Sequence, residues 1–141
     1  MSKKVGRIFF LLSQQILNPV STHLIISNSI ELVRVAADRI VYFLSDGNYT
    51  TLILTGGEEH IFTLNLGAMQ RLIETQLDDE AQQFIRVGKS LIINRNYIYC
   101  IHIFKQQLIL SDKLFVKKFE LSASREALKQ LKVMIEETLK K

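Results

Sequence analysis

The chain has 141 residues, of which 48% are hydrophobic, so length and composition predict one globular domain with ample apolar side chains for a core. Its net charge of +4 is compatible with a polyanionic partner, although many proteins with other functions carry as much. The single cysteine, Cys100, excludes an internal disulfide framework and favours a reducing compartment. We therefore expect a cytoplasmic protein.

Residues 1–29 form a first segment whose apolar residues recur at helical spacing. The apolar run 8–12 is too short for a signal-peptide core or a membrane span, so no membrane association is expected. The pattern predicts an amphipathic helix that ends before Pro19, with an apolar face formed by Val5, Ile8, Phe9, Leu12 and Ile16. This face either packs on its own domain or contacts a second copy or a partner protein.

From residue 30 the hydrophobic period changes to that of β-strands. Four β-branched and aromatic runs, separated by turn residues, predict a β-meander over residues 30–35, 39–44, 49–55 and 60–64. Asn65 can cap a helix over residues 66–77. The apolar stripe of this helix is assigned to the core: Leu66, Met69, Leu72, Ile73 and Leu77.

The second half of the chain is centred on a predicted hairpin. Apolar runs at residues 84–87 and 91–93 flank Gly88, Lys89 and Ser90, which places a lysine at an exposed turn. Further strands are predicted over residues 97–104, 107–110 and 115–119. A C-terminal helix then begins at Ser122 or Ser124, with Leu128, Leu131, Ile135 and Leu139 on one face.

Charge is distributed unevenly between two neighbouring blocks. Residues 84–119 contain seven Lys or Arg against one acid, whereas residues 58–81 contain six acids against one Arg. A solvated acidic helix face accounts for the second block. If the chain binds a polyanion, we expect the contact to lie in the second half of the chain, which contains the basic block.

The hairpin and its surroundings resemble a known family. The matching motifs are Phe84-x-Arg86-x-Gly88-Lys89-Ser90-x-x-Ile93-Asn94, the upstream Asp38-x-Ile40-x-Tyr42-Phe43 and Gly47-Asn48-Tyr49, and the downstream Ser124-Arg125. Together they are similar to the LytTR-type DNA-binding domain of bacterial transcription regulators, over about residues 30–135.

This resemblance implies an elongated, mostly β fold for residues 30–141, with small antiparallel sheets, one short central helix and a C-terminal helix. It implies a DNA-binding regulator of transcription, without cofactor or metal, that reads double-stranded DNA from loops at sheet ends. The residues placed at these loops are Asn48, Tyr49, Thr50, Thr51, Arg86, Gly88, Lys89, Ser90 and Arg125. Two protomers on paired sites are expected, with residues 5–16 as a candidate contact. The chain has no room for a receiver domain, so regulation is expected to come from elsewhere.

One position departs from the family pattern. The family usually has His where this chain has Gly88, so a hydrogen-bond donor is missing. Either the base normally read there is not read, which we favour, or the glycine allows closer approach of the backbone to phosphate.

Two other classes of function are considered. A β-rich protein-interaction module that retains the fold without specific DNA binding is the main alternative. The discriminating observation is whether Lys89, Arg125 and Thr50 lie on one edge of the folded chain, because one DNA surface formed by all three is impossible if they face different directions. The sequence does not support an enzyme. Gly88-Lys89-Ser90 matches the last three residues of a P-loop, but Gln83 occupies the position where a P-loop requires glycine. The histidines show no zinc-site spacing, so we predict that the protein is not an enzyme.

Overall fold

The computed structural model describes residues 22–114 and 116–140, so the helix predicted over residues 5–16 lies outside the described residues. Ten strands and two α-helices follow one another in these ranges, as three small antiparallel sheets and two helices. The strands are β1 (His23–Ser27), β2 (Leu32–Ala36), β3 (Ile40–Asp46), β4 (Tyr49–Leu54), β5 (Glu59–Phe62), β6 (Phe84–Val87), β7 (Leu91–Asn94), β8 (Ile98–His102), β9 (Gln107–Ser111) and β10 (Lys118–Ser122). The helices are α1 (Leu66–Leu77) and α2 (Arg125–Thr138). The predicted mostly β class is confirmed.

A five-stranded antiparallel sheet with the order β5-β4-β3-β7-β6 forms the centre of the fold. The predicted hairpin β6–β7 joins this sheet through β7, which pairs with β3 so that Leu44 lies opposite Leu91. Because β3 ends where β7 begins, the β3–β4 turn and the β6–β7 turn lie side by side at one end of the sheet.

Both faces of the central sheet are covered, which explains why all four residues of β7 are buried. On one face, Ile92 packs in a core cluster with residues of α1 and of the β1–β2 hairpin. On the other face, Ile93 packs in a second cluster with residues of β9, β10 and α2. Continuous apolar runs are typical of strands buried on both sides.

The two helices begin at side-chain caps. Asn65 Oδ1 accepts the Ala68 N–H at 2.8 Å, as predicted for α1. Ser124 Oγ accepts the Ala127 N–H at 3.1 Å, which selects Ser124 over Ser122 as the cap of α2.

The first sheet differs from the predicted meander. Strand β2 pairs with β1 and not with β3, so the meander holds only for β3, β4 and β5. The predicted boundary between residues 29 and 30 falls in the turn of this β1–β2 hairpin. Its strand β1 also contacts α1, because the Gln76 amide accepts the Ile25 N–H at 2.8 Å and donates to the Ile25 carbonyl at 2.9 Å.

Strand β10 begins at Lys118, three residues later than predicted. The carboxylate of Asp112 accepts the backbone N–H groups of Val116 and Lys117 at 2.9 and 3.2 Å. These bonds hold the chain in a loop before the strand, since Asp side chains readily compete with strand pairing for backbone donors.

Candidate nucleic-acid interface

Three connections meet at one end of the central sheet. The Ser45 N–H donates to the Ser90 carbonyl at 2.8 Å, which joins the β3–β4 turn to the β6–β7 turn. The β6–β7 turn and the β10–α2 connection line a common groove of about 480 Å³, whose lining includes Lys89, Ser122 and Ser124. We call residues 46–49, 88–90 and 122–125 the loop edge.

The β6–β7 turn presents its side chains outward. Gly88, Lys89 and Ser90 are all exposed, and Gly88 has a left-handed φ of 65° that glycine adopts without steric cost. Within the described chain, neither the Lys89 ammonium nor the Ser90 hydroxyl has a hydrogen-bond partner. The turn therefore carries a cation whose donors are available to a ligand.

Arg86, in the adjoining strand β6, connects this turn to α1 through its guanidinium group. One guanidinium nitrogen donates to Gln70 Oε1 of α1 at 2.9 Å, and the other lies 3.4 Å from the Lys89 carbonyl oxygen. Because Arg86 alternates with Ile85 and Val87 in the sequence, either a salt bridge or a phosphate contact is expected from the sequence alone. The structure gives neutral partners for two of its nitrogens and leaves the side chain exposed.

The predicted residues of the β3–β4 turn divide into exposed and buried side chains. Asn48 is exposed, Tyr49 is 54% exposed and Thr51 is half-buried. Thr50 is fully buried, and its hydroxyl donates to the Leu64 carbonyl at 2.6 Å. The side chain of Thr50 therefore faces the interior, because it shares a face of β4 with the buried Leu52. Thr50 does not share one edge with the exposed Lys89 and Arg125, so these three side chains do not form one DNA surface.

Arg125 is the first residue of α2, and its exposed side chain reaches a fourth connection. The guanidinium Nη2 donates to the Phe104 carbonyl at 3.2 Å, in the loop of residues 103–106 between β8 and β9. The neighbouring Ala123 N–H donates to the Gln106 carbonyl at 3.3 Å. Residues 103–106 therefore adjoin the loop edge.

This fourth loop was not predicted as part of the site. Sequence reasoning assigned Phe104 to a strand over residues 97–104, whereas β8 ends at His102. The signal that was available is the polar run Lys105-Gln106-Gln107 directly after the aromatic residue, which is typical of a turn.

The structural residues of the motif lie away from the loop edge. Asn94 is fully buried, donates to the Ile40 carbonyl at 2.9 Å and accepts the Asn96 N–H at 3.0 Å. At the opposite end of β3, the Tyr97 hydroxyl donates to the Asp38 carbonyl. Burial raises the pKa of Tyr97, and the nearby carboxylates of Asp38 and Asp112 raise it further.

Two kinds of feature are absent from the described ranges. Across residues 22–114 and 116–140, no three His, Cys, Asp or Glu side chains are grouped so as to hold a metal ion. In the same ranges, no helix combines the length and the hydrophobicity needed to cross a bilayer.

Comparisons with known proteins agree with this architecture. The family model of the LytTr DNA-binding domain matches residues 31–136. Among solved structures, the chain is similar to the LytTr DNA-binding domain of a Bacillus cereus protein described as a methyl-accepting/DNA response regulator. That likeness has a TM-score of 0.57 at 14% identity and covers 82% of this chain and 98% of the other, so it shows a shared fold. No curated protein matches the chain significantly. Because the family match spans most of the described residues, the chain belongs to the LytTr DNA-binding domain family.

Proposed function

We propose that the protein is a sequence-specific regulator of transcription that reads double-stranded DNA with its loop edge. The observation that carries the proposal is the meeting of three connections at one end of the sheet, with Lys89 in the groove that two of them line. These connections are remote in sequence, so their meeting depends on the fold.

The spacing of the turns suits the dimensions of DNA. The β3–β4 turn and the β6–β7 turn are separated by two strand spacings, which is about 10 Å. The major and minor grooves of B-DNA are about 12 Å and 6 Å wide. Adjacent turns of the loop edge therefore contact the same groove or adjoining ones.

The exposed side chains suit base and phosphate recognition. Lys89 and Arg125 supply donors for guanine O6 and N7, and the Asn48 amide suits adenine N6 and N7. Arg125 uses one of its five N–H donors on the Phe104 carbonyl, which leaves the others available. Arg86, Tyr49, Thr51 and Ser90 suit the sugar-phosphate backbone. At Gly88, which has no side chain, either the base contact is lost or the backbone approaches a phosphate closely.

Thr50 has a structural role in this proposal. Its hydroxyl is bonded to the Leu64 carbonyl in the interior, so it holds the first turn of the loop edge against the segment before α1. We further propose that two protomers occupy paired sites in the cytoplasm, with the apolar positions of residues 5–16 as a contact between protomers or with a partner protein.

The test is selection of the purified full chain on a randomised pool of double-stranded DNA, followed by sequencing and affinity measurements at several salt concentrations. We expect an enriched motif made of two half-sites. Lys89→Ala should relax one position of each half-site and weaken binding by about 1–3 kcal/mol, roughly 5- to 150-fold. The logarithm of affinity should fall by about 0.9 per phosphate contact for each logarithmic unit of salt.

The matched control is Lys113→Ala, which removes an exposed lysine that lines a cavity at the opposite end of the sheet. It should keep the motif and bind within about twofold of the unsubstituted chain, because one distant charge adds little at moderate salt. No enriched motif, with equal salt-sensitive binding by both lysine variants, would refute sequence-specific reading and favour the protein-interaction module.

A further inference from the structure

The β8–β9 loop presents an unusual side chain beside the loop edge. Phe104 is 79% exposed, and the next residue, Lys105, is also exposed. The guanidinium of Arg125 lies against the Phe104 carbonyl. The aromatic ring is therefore apolar surface in a cationic neighbourhood.

The backbone of this loop is fixed on both sides. Gln106 has a left-handed φ of 53°, and its N–H donates to the Ile103 carbonyl at 3.0 Å. The Lys105 N–H donates to His102 Nδ1 at 3.3 Å. Together with the bonds from Ala123 and Arg125, these contacts hold the position from which the ring projects.

A partner for Phe104 must satisfy two conditions at once. It must be anionic, to suit the neighbouring cations, and it must offer apolar surface to the ring. DNA meets both conditions, because its phosphates lie close to deoxyribose carbons and to the C5-methyl group of thymine. Exposure alone does not carry the argument, since Leu114 is 80% exposed at the opposite end of the sheet.

On the basis of the proposed function, we infer that Phe104 is a fourth DNA-contacting element, making an apolar contact with the nucleotide next to the one bound by Arg125. The shared chemistry is a hydrocarbon surface, supplied by either a thymine methyl group or a deoxyribose. The rigid loop lowers the entropy lost on binding, because the backbone is ordered before the DNA arrives.

The test uses the full chain and the DNA site that it enriches from the randomised pool. We expect Phe104→Ala to weaken binding about tenfold, because apolar surface of the ring is no longer buried. Its salt dependence should equal that of the unsubstituted chain, since no charge is lost, whereas Arg125→Ala should lower both the affinity and the salt dependence. Phe104→Leu should retain most of the affinity.

The matched control is Leu114→Ala, which truncates an equally exposed apolar side chain and should leave affinity unchanged. Replacing each thymine of the site by uracil distinguishes the two sources of apolar surface. A position where uracil weakens binding by the unsubstituted chain, but not by Phe104→Ala, identifies a thymine methyl group. A loss in Phe104→Ala without such a position identifies the deoxyribose.

Two results would overturn the inference, and they are distinguishable. If the chain enriches a motif and Phe104→Ala binds it as tightly, this contact does not exist although the proposed function stands. If the chain enriches no motif, the proposed function and this contact both fail.

Discussion

The two ends of the central sheet differ in whether their polar side chains have partners within the chain. At the end away from the loop edge, Arg39 pairs with Glu58 at 2.9 Å and the Tyr97 hydroxyl donates to the Asp38 carbonyl. At the loop edge, the side chain of Lys89 has no partner within the described chain. The hydrogen-bonding capacity of these side chains at the far end is used within the chain, whereas the ammonium of Lys89 is available to a ligand.

Sheet register, and not sequence position, creates this difference. Residues 48 and 89 are far apart in sequence, yet pairing of Leu44 with Leu91 places their turns side by side. Pairing of β3 with β4 leaves the start of β3 at the other end, next to Tyr97. One strand therefore separates the paired end from the unpaired end.

The largest loss of stability is expected from a substitution of Thr50, which lies at the boundary of the loop edge. Thr50→Val keeps the shape of the side chain but removes the hydroxyl that donates to the Leu64 carbonyl. We expect the free energy of unfolding to fall by about 1–3 kcal/mol, because the half-buried Leu64 carbonyl loses its partner. Urea unfolding measures this loss, and DNA affinity below the unfolding transition should stay within twofold.

Thr51→Val is the matched control for Thr50. Thr51 is half-buried, and its hydroxyl makes no hydrogen bond within the described chain, so the free energy of unfolding should change by less than about 0.5 kcal/mol. If Thr50→Val instead weakened DNA binding tenfold at unchanged stability, Thr50 would belong among the DNA contacts.

A smaller effect is expected at Gly88, where the loop edge lacks a side chain. Gly88→Ala should lower the free energy of unfolding by about 1–2 kcal/mol, because alanine is unfavourable at a φ of 65°. Space is not limiting, since the nearest atom to an added Cβ is Ala127 Cβ at 3.7 Å. Thermal and urea unfolding measure the loss.

Gly88→Asn separates the two interpretations of the missing donor. Asparagine tolerates the left-handed conformation better than alanine, so this variant should be the more stable of the two. If readout was lost at this position, the added amide should maintain or increase DNA affinity. If both variants instead bind DNA tenfold more weakly, the bare glycine backbone approaches a phosphate.

The smallest effect is expected at the paired end. Tyr97→Phe should lower the free energy of unfolding at pH 7 by about 1 kcal/mol, because one hydrogen bond to the Asp38 carbonyl is lost. Since the pKa of Tyr97 is raised in the folded protein, its protonated form contributes stability that is complete below about pH 10 and lost as pH rises through the folded pKa.

Urea unfolding between pH 7 and pH 11 measures both parts of this prediction. Tyr97→Phe should show a smaller alkaline loss of stability than the unsubstituted chain, and it should bind DNA normally. Tyr49→Phe, at the exposed turn, is the control for stability alone, and it should leave the free energy of unfolding unchanged. Weaker DNA binding by Tyr97→Phe would show that the two ends are not independent.

The sequence predicted local elements better than their assembly. Helix α1 was predicted from its apolar stripe and from Asn65, because capping and helical periodicity are local properties. Strand β1 was missed, since five residues with only Leu24 and Ile26 buried give a weak signal. The pairing of β2 with β1 depends on packing against α1, which no local pattern specifies.

The sequence also predicted the turns of the candidate site better than the directions and contacts of their side chains. The turn that carries Lys89 followed from the two apolar runs around it. The inward direction of Thr50 was available in the alternation of β4, where it shares a face with Leu52, but the resemblance favoured a contact with DNA. The bond between Arg125 and the Phe104 carbonyl joins distant segments, so only the folded chain reveals it.

The amide of Gln76 has a consequence for solubility. Strand β1 lies at the edge of a two-stranded sheet, and such edges can add a strand from another molecule and begin aggregation. By bonding to both the N–H and the carbonyl of Ile25, Gln76 occupies the groups that an incoming strand would need. The backbone groups of Ile25 are therefore not available to a strand from another molecule.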